Sequence, residues 1–148
     1  IKAGWGWEYD TFEAFQFTIY DKDGFYGWHQ DGLSDHLGKN KRYLHGITTV
    51  PLKKNEKLPE GYVTDNDLVG KVRKVSVTIN LNEPGEYEGG NLKFDFGNHS
   101  EKKFHEVTEI RPQGSMIVFP SFLPHCVTPV TKGTRYSLVL WCLGEPWK

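Results

Sequence analysis

Strict alternation of apolar and polar side chains restricts this chain more than any other feature. Phe15-Gln-Phe-Thr-Ile-Tyr20 places Phe15, Phe17 and Ile19 on one face and Gln16, Thr18 and Tyr20 on the other. Val75-Ser-Val-Thr-Ile-Asn-Leu81 repeats the pattern, with Val75, Val77, Ile79 and Leu81 opposed to Ser76, Thr78 and Asn80. A period of two belongs to a strand, and no stretch carries the longer period of an extended helix. The apolar faces are expected to meet a core, and the two polar faces to line one pocket.

Other segments point the same way. Asp21-Lys-Asp-Gly24 reads as a turn into an extended Phe25–Asp31, and Asn82-Glu-Pro-Gly85 ends the second strand. Gly89-Gly90 opens a strand in which Leu92, Phe94 and Phe96 alternate with Asn91, Lys93 and Asp95. Met116–Phe119 and Tyr136–Trp141 are nearly continuous apolar runs, expected as central strands buried on both sides. Aromatic residues make up 14% of the chain, which with frequent Gly and Pro favours short strands and turns. The fold class is therefore mainly β. Between Leu33 and Lys74 no period holds, apart from a helical turn expected at Leu33–Leu37, and this stretch is read as an irregular, lid-like insertion.

At 148 residues the chain fits one domain, 1–148, with one active centre. A formal net charge of −1 gives no reason to expect nucleic acid or an anionic membrane as partner. Two cysteines, Cys126 and Cys142, are too few for a disulfide scaffold, and no apolar run approaches a membrane span. A reducing cytoplasm is the expected location. The chain opens on Ile1, which suggests an excised domain or a missing start.

His29 and Asp31 lie two apart, so on a strand they present an imidazole and a carboxylate on one side, roughly 6 to 7 Å apart at Cα. A third ligand from His125 completes two histidines and one carboxylate on one face of a metal, the donor set of non-haem Fe(II) oxygenases. Chance supplies a His-x-Asp pair readily in a chain with six histidines, so the C-terminal segment carries the weight. There, Thr131-Lys132-Gly133 fits a three-residue hairpin loop, which would set Val130 against Thr134, Pro129 against Arg135 and His125 against Val139. His125 and Arg135 would then share a face on the order of 13 Å apart. A guanidinium there suits the far carboxylate of a dicarboxylate that chelates the metal through its 2-oxo acid end.

These residues together resemble the Fe(II)/2-oxoglutarate-dependent oxygenases of the prolyl 4-hydroxylase-like group. The resemblance covers roughly Phe15 to Trp141 outside the irregular stretch. It rests on Tyr20, His29 with Asp31, Gly89-Gly90-Asn91-Leu92, Gly114-Ser-Met-Ile-Val-Phe-Pro120 before His125, and Arg135. It implies a double-stranded β-helix, a jelly-roll-like barrel of the cupin type with the metal between two sheets. It further implies that His29, Asp31 and His125 bind Fe(II), that Arg135 pairs with 2-oxoglutarate, and that Tyr20 donates a hydrogen bond to it. Thr78, Asn80, Ser137 and Trp141 are expected in the cosubstrate cavity.

The reaction so implied couples O2 and 2-oxoglutarate to hydroxylation of a C–H bond, releasing succinate and CO2, with ascorbate as an accessory reductant. Asp31 favours hydroxylation, because related halogenases resemble this pattern with a small residue there. A prolyl residue of a protein or peptide is the expected substrate, with a free amino acid or other small molecule as the alternative. A non-catalytic jelly-roll module that binds peptide or sugar is the alternative of another class. The chain departs from the group in two ways: only fourteen residues precede Phe15, where the group has a helical buttress, and the 33–74 connection is long.

Lys39-Asn-Lys-Arg42 and Lys53-Lys54 read as part of a solvated loop. Trp141 stands where nucleic-acid demethylases of the superfamily carry a second Arg, which argues against base repair. The remaining tryptophans read as core or rim packing, His36, His45, His99 and His105 as surface residues, and Cys126 as a buried structural thiol.

Overall fold

A computed structural model describes residues 6–32, 41–42, 62–63, 66–97 and 104–145. Their elements are β1 (Thr11–Phe12), β2 (Gln16–Tyr20), β3 (Tyr26–His29), β4 (Lys41–Arg42), β5 (Tyr62–Val63), a 3-10 turn at Asn66–Leu68, and β6 (Val72–Asn80). There follow β7 (Tyr87–Gly89), β8 (Leu92–Asp95), β9 (Phe104–Val107), β10 (Met116–Pro120), β11 (His125–Val127), β12 (Val130–Gly133) and β13 (Arg135–Gly144). No α-helix occurs among the described residues, and none of their helices is long and apolar enough to cross a membrane. The helical turn expected at 33–37, the two basic clusters apart from the pair Lys41–Arg42, and His36, His45 and His99 lie outside them. Within the expected insertion, β4 and β5 pair in parallel, and β6 begins at Val72.

Two antiparallel sheets face each other. The larger runs β1-β13-β6-β10, with β2 beside β1 on the same edge of β13, and the smaller runs β3-β11-β8-β9. Between them Leu92, Phe94, Val107 and Val127 of the smaller sheet meet Phe119 of the larger. Phe94 and Phe119 pack edge to face at 4.9 Å between centroids, an arrangement worth about 0.5–1.5 kcal/mol beyond its area. This is the mainly β architecture expected from the alternation, in the jelly-roll-like form that the resemblance implied.

Three local expectations are corrected. The pleat of β2 and β6 is as read and Gln16, Thr18, Tyr20 and Thr78 of the polar faces line a pocket as expected, but the apolar face of β2 meets no core: Phe17 and Ile19 are each 55% exposed, whereas Val75 of β6 is buried. The interior has a use for polar groups, while the apolar back of β2 forms an outer strip on which Phe17 stacks with Tyr136 at 6.0 Å. The hairpin through Thr131–Gly133 does not form. β11 pairs with β3 and β8, β12 pairs with β7, and β13 pairs with β2 and β6, so His125 and Arg135 lie in opposite sheets. Of the two expected central strands β13 is central, but β10 ends its sheet and exposes Met116.

Gly133 lets the β12–β7 ribbon close tightly. Its φ is +71°, and a Cβ there would overlap the carbonyl oxygen of Glu86 across the β12–β7 ribbon. Gly97 has a similar φ of +74° in open space. Urea unfolding should therefore separate them: Gly97→Ala costs about 1 kcal/mol for the left-handed backbone alone, and Gly133→Ala about 2–3 kcal/mol. Equal losses would mean that the ribbon yields to the added methyl.

Candidate functional site

Between the sheets lies a cavity of about 270 Å³ whose walls have opposite duties. The smaller sheet and its loops present His29, Asp31 and His125, while the larger presents Tyr20, Thr78, Arg135, Ser137 and Trp141. β13 supplies Arg135, Ser137, Val139 and Trp141 because alternate residues of one strand face one way.

His29 and His125 are register partners on β3 and β11, with ring centroids 4.2 Å apart. Each ring is aimed by its own backbone: Nδ1 of His29 lies 2.8 Å from the carbonyl oxygen of Gly27, and Nδ1 of His125 lies 2.8 Å from that of Leu123. A carbonyl only accepts, so each Nδ1 carries the proton and each Nε2 keeps its lone pair for the cavity. Those nitrogens lie 3.3 and 3.6 Å from the two oxygens of Asp31, and one donor atom from each of the three residues falls within 4.8 Å of the others. Such a set of two imidazoles and a carboxylate can hold a divalent metal with positions left open.

Burial opposes charge on Asp31, but the neighbouring His29 imidazole, the Ser76 hydroxyl and His125 outweigh it and lower its pKa to about 2. Burial also lowers the pKa of His125, with Asp31 pulling the other way, which favours the neutral, ligating form. Ser76 Oγ donates to Asp31 Oδ2 at 2.6 Å.

At the other wall Arg135 is 2% exposed, and among the described residues no carboxylate pairs with it. Its NH1 lies 3.4 Å from Ser137 Oγ, its guanidinium carbon sits 5.4 Å from the Tyr20 ring centroid, and its Nε has no hydrogen-bond partner. A buried cation so placed calls for an anion. The chain leaves room for this side chain at Gly90, where a Cβ would come within 3.0 Å of Arg135 Cδ. Burial raises the pKa of Tyr20 despite Arg135, so its phenol stays a neutral donor. Thr18 and Ser137 hydroxyls bond to each other at 2.5 Å on the same wall. Leu92, Phe119 and Val127 supply apolar lining. The residues present thus fit a chelated metal beside a dicarboxylate.

Asn80 is the correction among the expected cavity residues. Its amide nitrogen is taken up by the carbonyl oxygens of Asn82 and Arg111, at 3.1 and 2.8 Å, so it ties β6 to the loop before β10 rather than lining the cavity. Sequence reasoning placed Gln16 on a pocket-lining face but missed Tyr26, Gln30 and Arg73 as lining residues, and Ser121, which supports Ser76 at 2.9 Å. Strand parity carried a signal for Gln16 alone. Cys126 is buried as expected, His105 is exposed, and Trp28 is half-exposed against Phe104 at 4.9 Å.

Residues 15–143 match the family model described as the 2OG-Fe(II) oxygenase superfamily. Among curated relatives, a PKHD-type hydroxylase of Prochlorococcus marinus is 35% identical over 74% of this chain and 48% of its own. Another from Picosynechococcus is 44% identical over 55% of this chain and 35% of its own. The chain spans about a third to a half of the length of these relatives. Of solved structures, a Pseudomonas putida prolyl-4-hydroxylase aligns with a TM-score of 0.58 at 23% identity, covering 93% of this chain and 54% of that one. A Trichoplax adhaerens prolyl hydroxylase in complex with a hypoxia inducible factor peptide fragment aligns at 0.54 and 18%, covering 90% and 44%. These two show a shared fold.

Since Asp31 stays ionised down to about pH 2, only imidazole protonation competes with a metal between pH 7 and 5. Mn(II) affinity, followed by the electron paramagnetic resonance of the free ion, should therefore weaken as His125 protonates, at a pH below the ordinary imidazole value of about 6.5. A decline centred instead near the carboxylate range of about 4 would contradict this ordering.

Proposed function

Since the chain belongs to the 2OG-Fe(II) oxygenase superfamily, we propose that it is an Fe(II)- and 2-oxoglutarate-dependent dioxygenase that hydroxylates a C–H bond and releases succinate and CO2. His29, Asp31 and His125 hold the iron. The observation that carries this reading is Arg135, a buried cation without a carboxylate partner among the described residues, in the same cavity as the triad. Fe(II), 2-oxoglutarate and O2, when bound, supply the oxidising chemistry.

The chain's own residues bind, orient and exclude water. Arg135 takes the distal carboxylate of the cosubstrate in a charge-assisted pair, and Tyr20 donates its phenolic proton to the same group. Ser137 holds one edge of the guanidinium, leaving Nε for the ligand. Leu92, Phe119 and Val127 keep that end dry, which strengthens each polar contact. His29 and His125 keep Nε2 toward the metal through their backbone carbonyl contacts.

The substrate is a prolyl residue in a protein or peptide. In support stand the PKHD-type hydroxylase relatives and the prolyl hydroxylases among the structural neighbours, one of them in complex with a peptide fragment. The mouth of the cavity, with Gln16, Tyr26 and Gln30, offers amides and a phenol suited to an extended backbone.

Uncoupled turnover tests the chemistry. Aerobic protein with Fe(II) should convert 2-oxoglutarate to succinate, and Arg135→Ala should raise the 2-oxoglutarate concentration for half-maximal rate on the order of 100-fold. Absence of succinate from iron-loaded wild type would overturn the reading. Mass spectrometry of proline-containing peptides should show the gain of one oxygen only with 2-oxoglutarate; the same gain on free amino acids but not on peptides would reassign the substrate.

A further inference from the structure

The carboxylate of Asp31 stands among donors that the ligand set does not account for. Ser76 Oγ donates to Oδ2 at 2.6 Å, and Ser121 lies 2.9 Å behind it; both serines are 0% exposed. Trp141 is the register partner of Ser76 across the β13–β6 ladder, so both side chains leave the same face of the sheet, Trp141 lining the cavity and Ser76 lying behind Asp31. Its indole N–H is buried without a hydrogen-bond partner, in the cavity that Asp31 also lines. A buried indole donor left over in a site built around a carboxylate needs an acceptor.

The indole plane is itself clamped. Arg73 lays its guanidinium over the Trp141 ring, 3.8 Å from the centroid. Glu13 grips that guanidinium in a bidentate pair, Nε to Oε1 at 2.7 Å and NH2 to Oε2 at 2.6 Å. The backbone N–H of Glu13 donates to the carbonyl oxygen of Trp141 at 3.0 Å, which closes a ring from Trp141 through Glu13 and Arg73 back to its indole. A planar guanidinium held along one edge by two hydrogen bonds fixes the ring face beneath it in a way that a flexible ammonium does not. The other side of Asp31 is fixed by Gly32, whose N–H donates to the carbonyl oxygen of Ser121 at 3.0 Å. There a Cβ would come within 2.7 Å of the Arg73 carbonyl oxygen.

We propose that Ser76 and Trp141 are positioning residues for the metal ligand Asp31, and that the Arg73–Glu13 pair sets the indole so that its N–H serves that carboxylate. The proposal rests on the metal-site reading above. A ligating carboxylate offers the metal one lone pair and leaves others to be satisfied. Donors on those lone pairs stop it rotating and keep it anionic. The hydroxyl and the indole supply two, each braced by a further contact.

Mn(II) binding, measured by electron paramagnetic resonance without 2-oxoglutarate or O2, tests it apart from turnover. Trp141→Phe keeps the ring and removes the N–H, and should weaken Mn(II) about tenfold. Ser76→Ala should weaken it by about 10- to 100-fold, with Ser76→Thr restoring it. Arg73→Lys should weaken Mn(II) in the wild-type background but add nothing in Trp141→Phe, because both act through one donor. Metal-free melting curves identify any variant that fails to fold, and Trp141→Phe carries the test if Ser76→Ala does. Unchanged Mn(II) affinity in Trp141→Phe, with a raised 2-oxoglutarate requirement, would assign the indole to the cosubstrate and overturn the proposal. Additive losses for Arg73→Lys and Trp141→Phe would overturn the clamp. Wild type that binds Mn(II) but makes no succinate would refute the hydroxylase reading and leave the positioning intact; wild type that binds no Mn(II) would overturn both.

Discussion

Strand β13 is hydrogen-bonded on both edges, to β6 along most of its length and to β2 and β1 on the other side. That double pairing fixes its register, and the register decides which side chains enter the cavity. Arg135, Ser137, Val139 and Trp141 face inward as a set, and a slip of one residue would replace them with Tyr136, Leu138 and Leu140. Anion anchor, hydroxyl and indole thus share one mechanical constraint, while the smaller sheet holds the two histidines.

The larger sheet reverses the usual disposition of a half-buried sheet. Its inner face carries Ser76, Thr78, Ser137 and Arg135, and its outer face carries Phe17, Ile19 and Tyr136. Burying so many polar groups is costly unless each finds a partner, and most do: Ser76 with Asp31 and Ser121, Ser137 with Thr18. The atoms left over, Arg135 Nε and Trp141 Nε1, lie along the same cavity wall. Those unsatisfied donors are the part of the interior least explained by folding alone.

Much of this was legible in the chain. The period of two in β2 and β6 was plain, as was the order of His29, Asp31, His125 and Arg135. Alternation, however, is symmetric: it says which residues share a face, not which face is wet. Only the polar lining of a cavity resolves that for Thr78 and Phe17. The misplaced hairpin has a similar cause. Thr131-Lys132-Gly133 satisfies the local rules for a tight loop, but Val130–Gly133 pairs instead with Tyr87–Gly89, a partner more than forty residues earlier. Asn80 looked like its neighbour Thr78 until the carbonyls of Asn82 and Arg111 claimed its amide. Ser121 and Arg73 gave no signal, because their roles arise from a loop and a strand end brought beside Asp31 and Trp141 by the tertiary fold.

His29 and His125 face each other across one ladder although nearly a hundred residues separate them in the chain. Closing so long a loop comes late in folding, after local hairpins have formed and lost their competitors. The three candidate metal ligands therefore come together only once that long-range pairing has formed. An ion held there would report that pairing, and by mass action would stabilise the native state against global unfolding rather than one region of it.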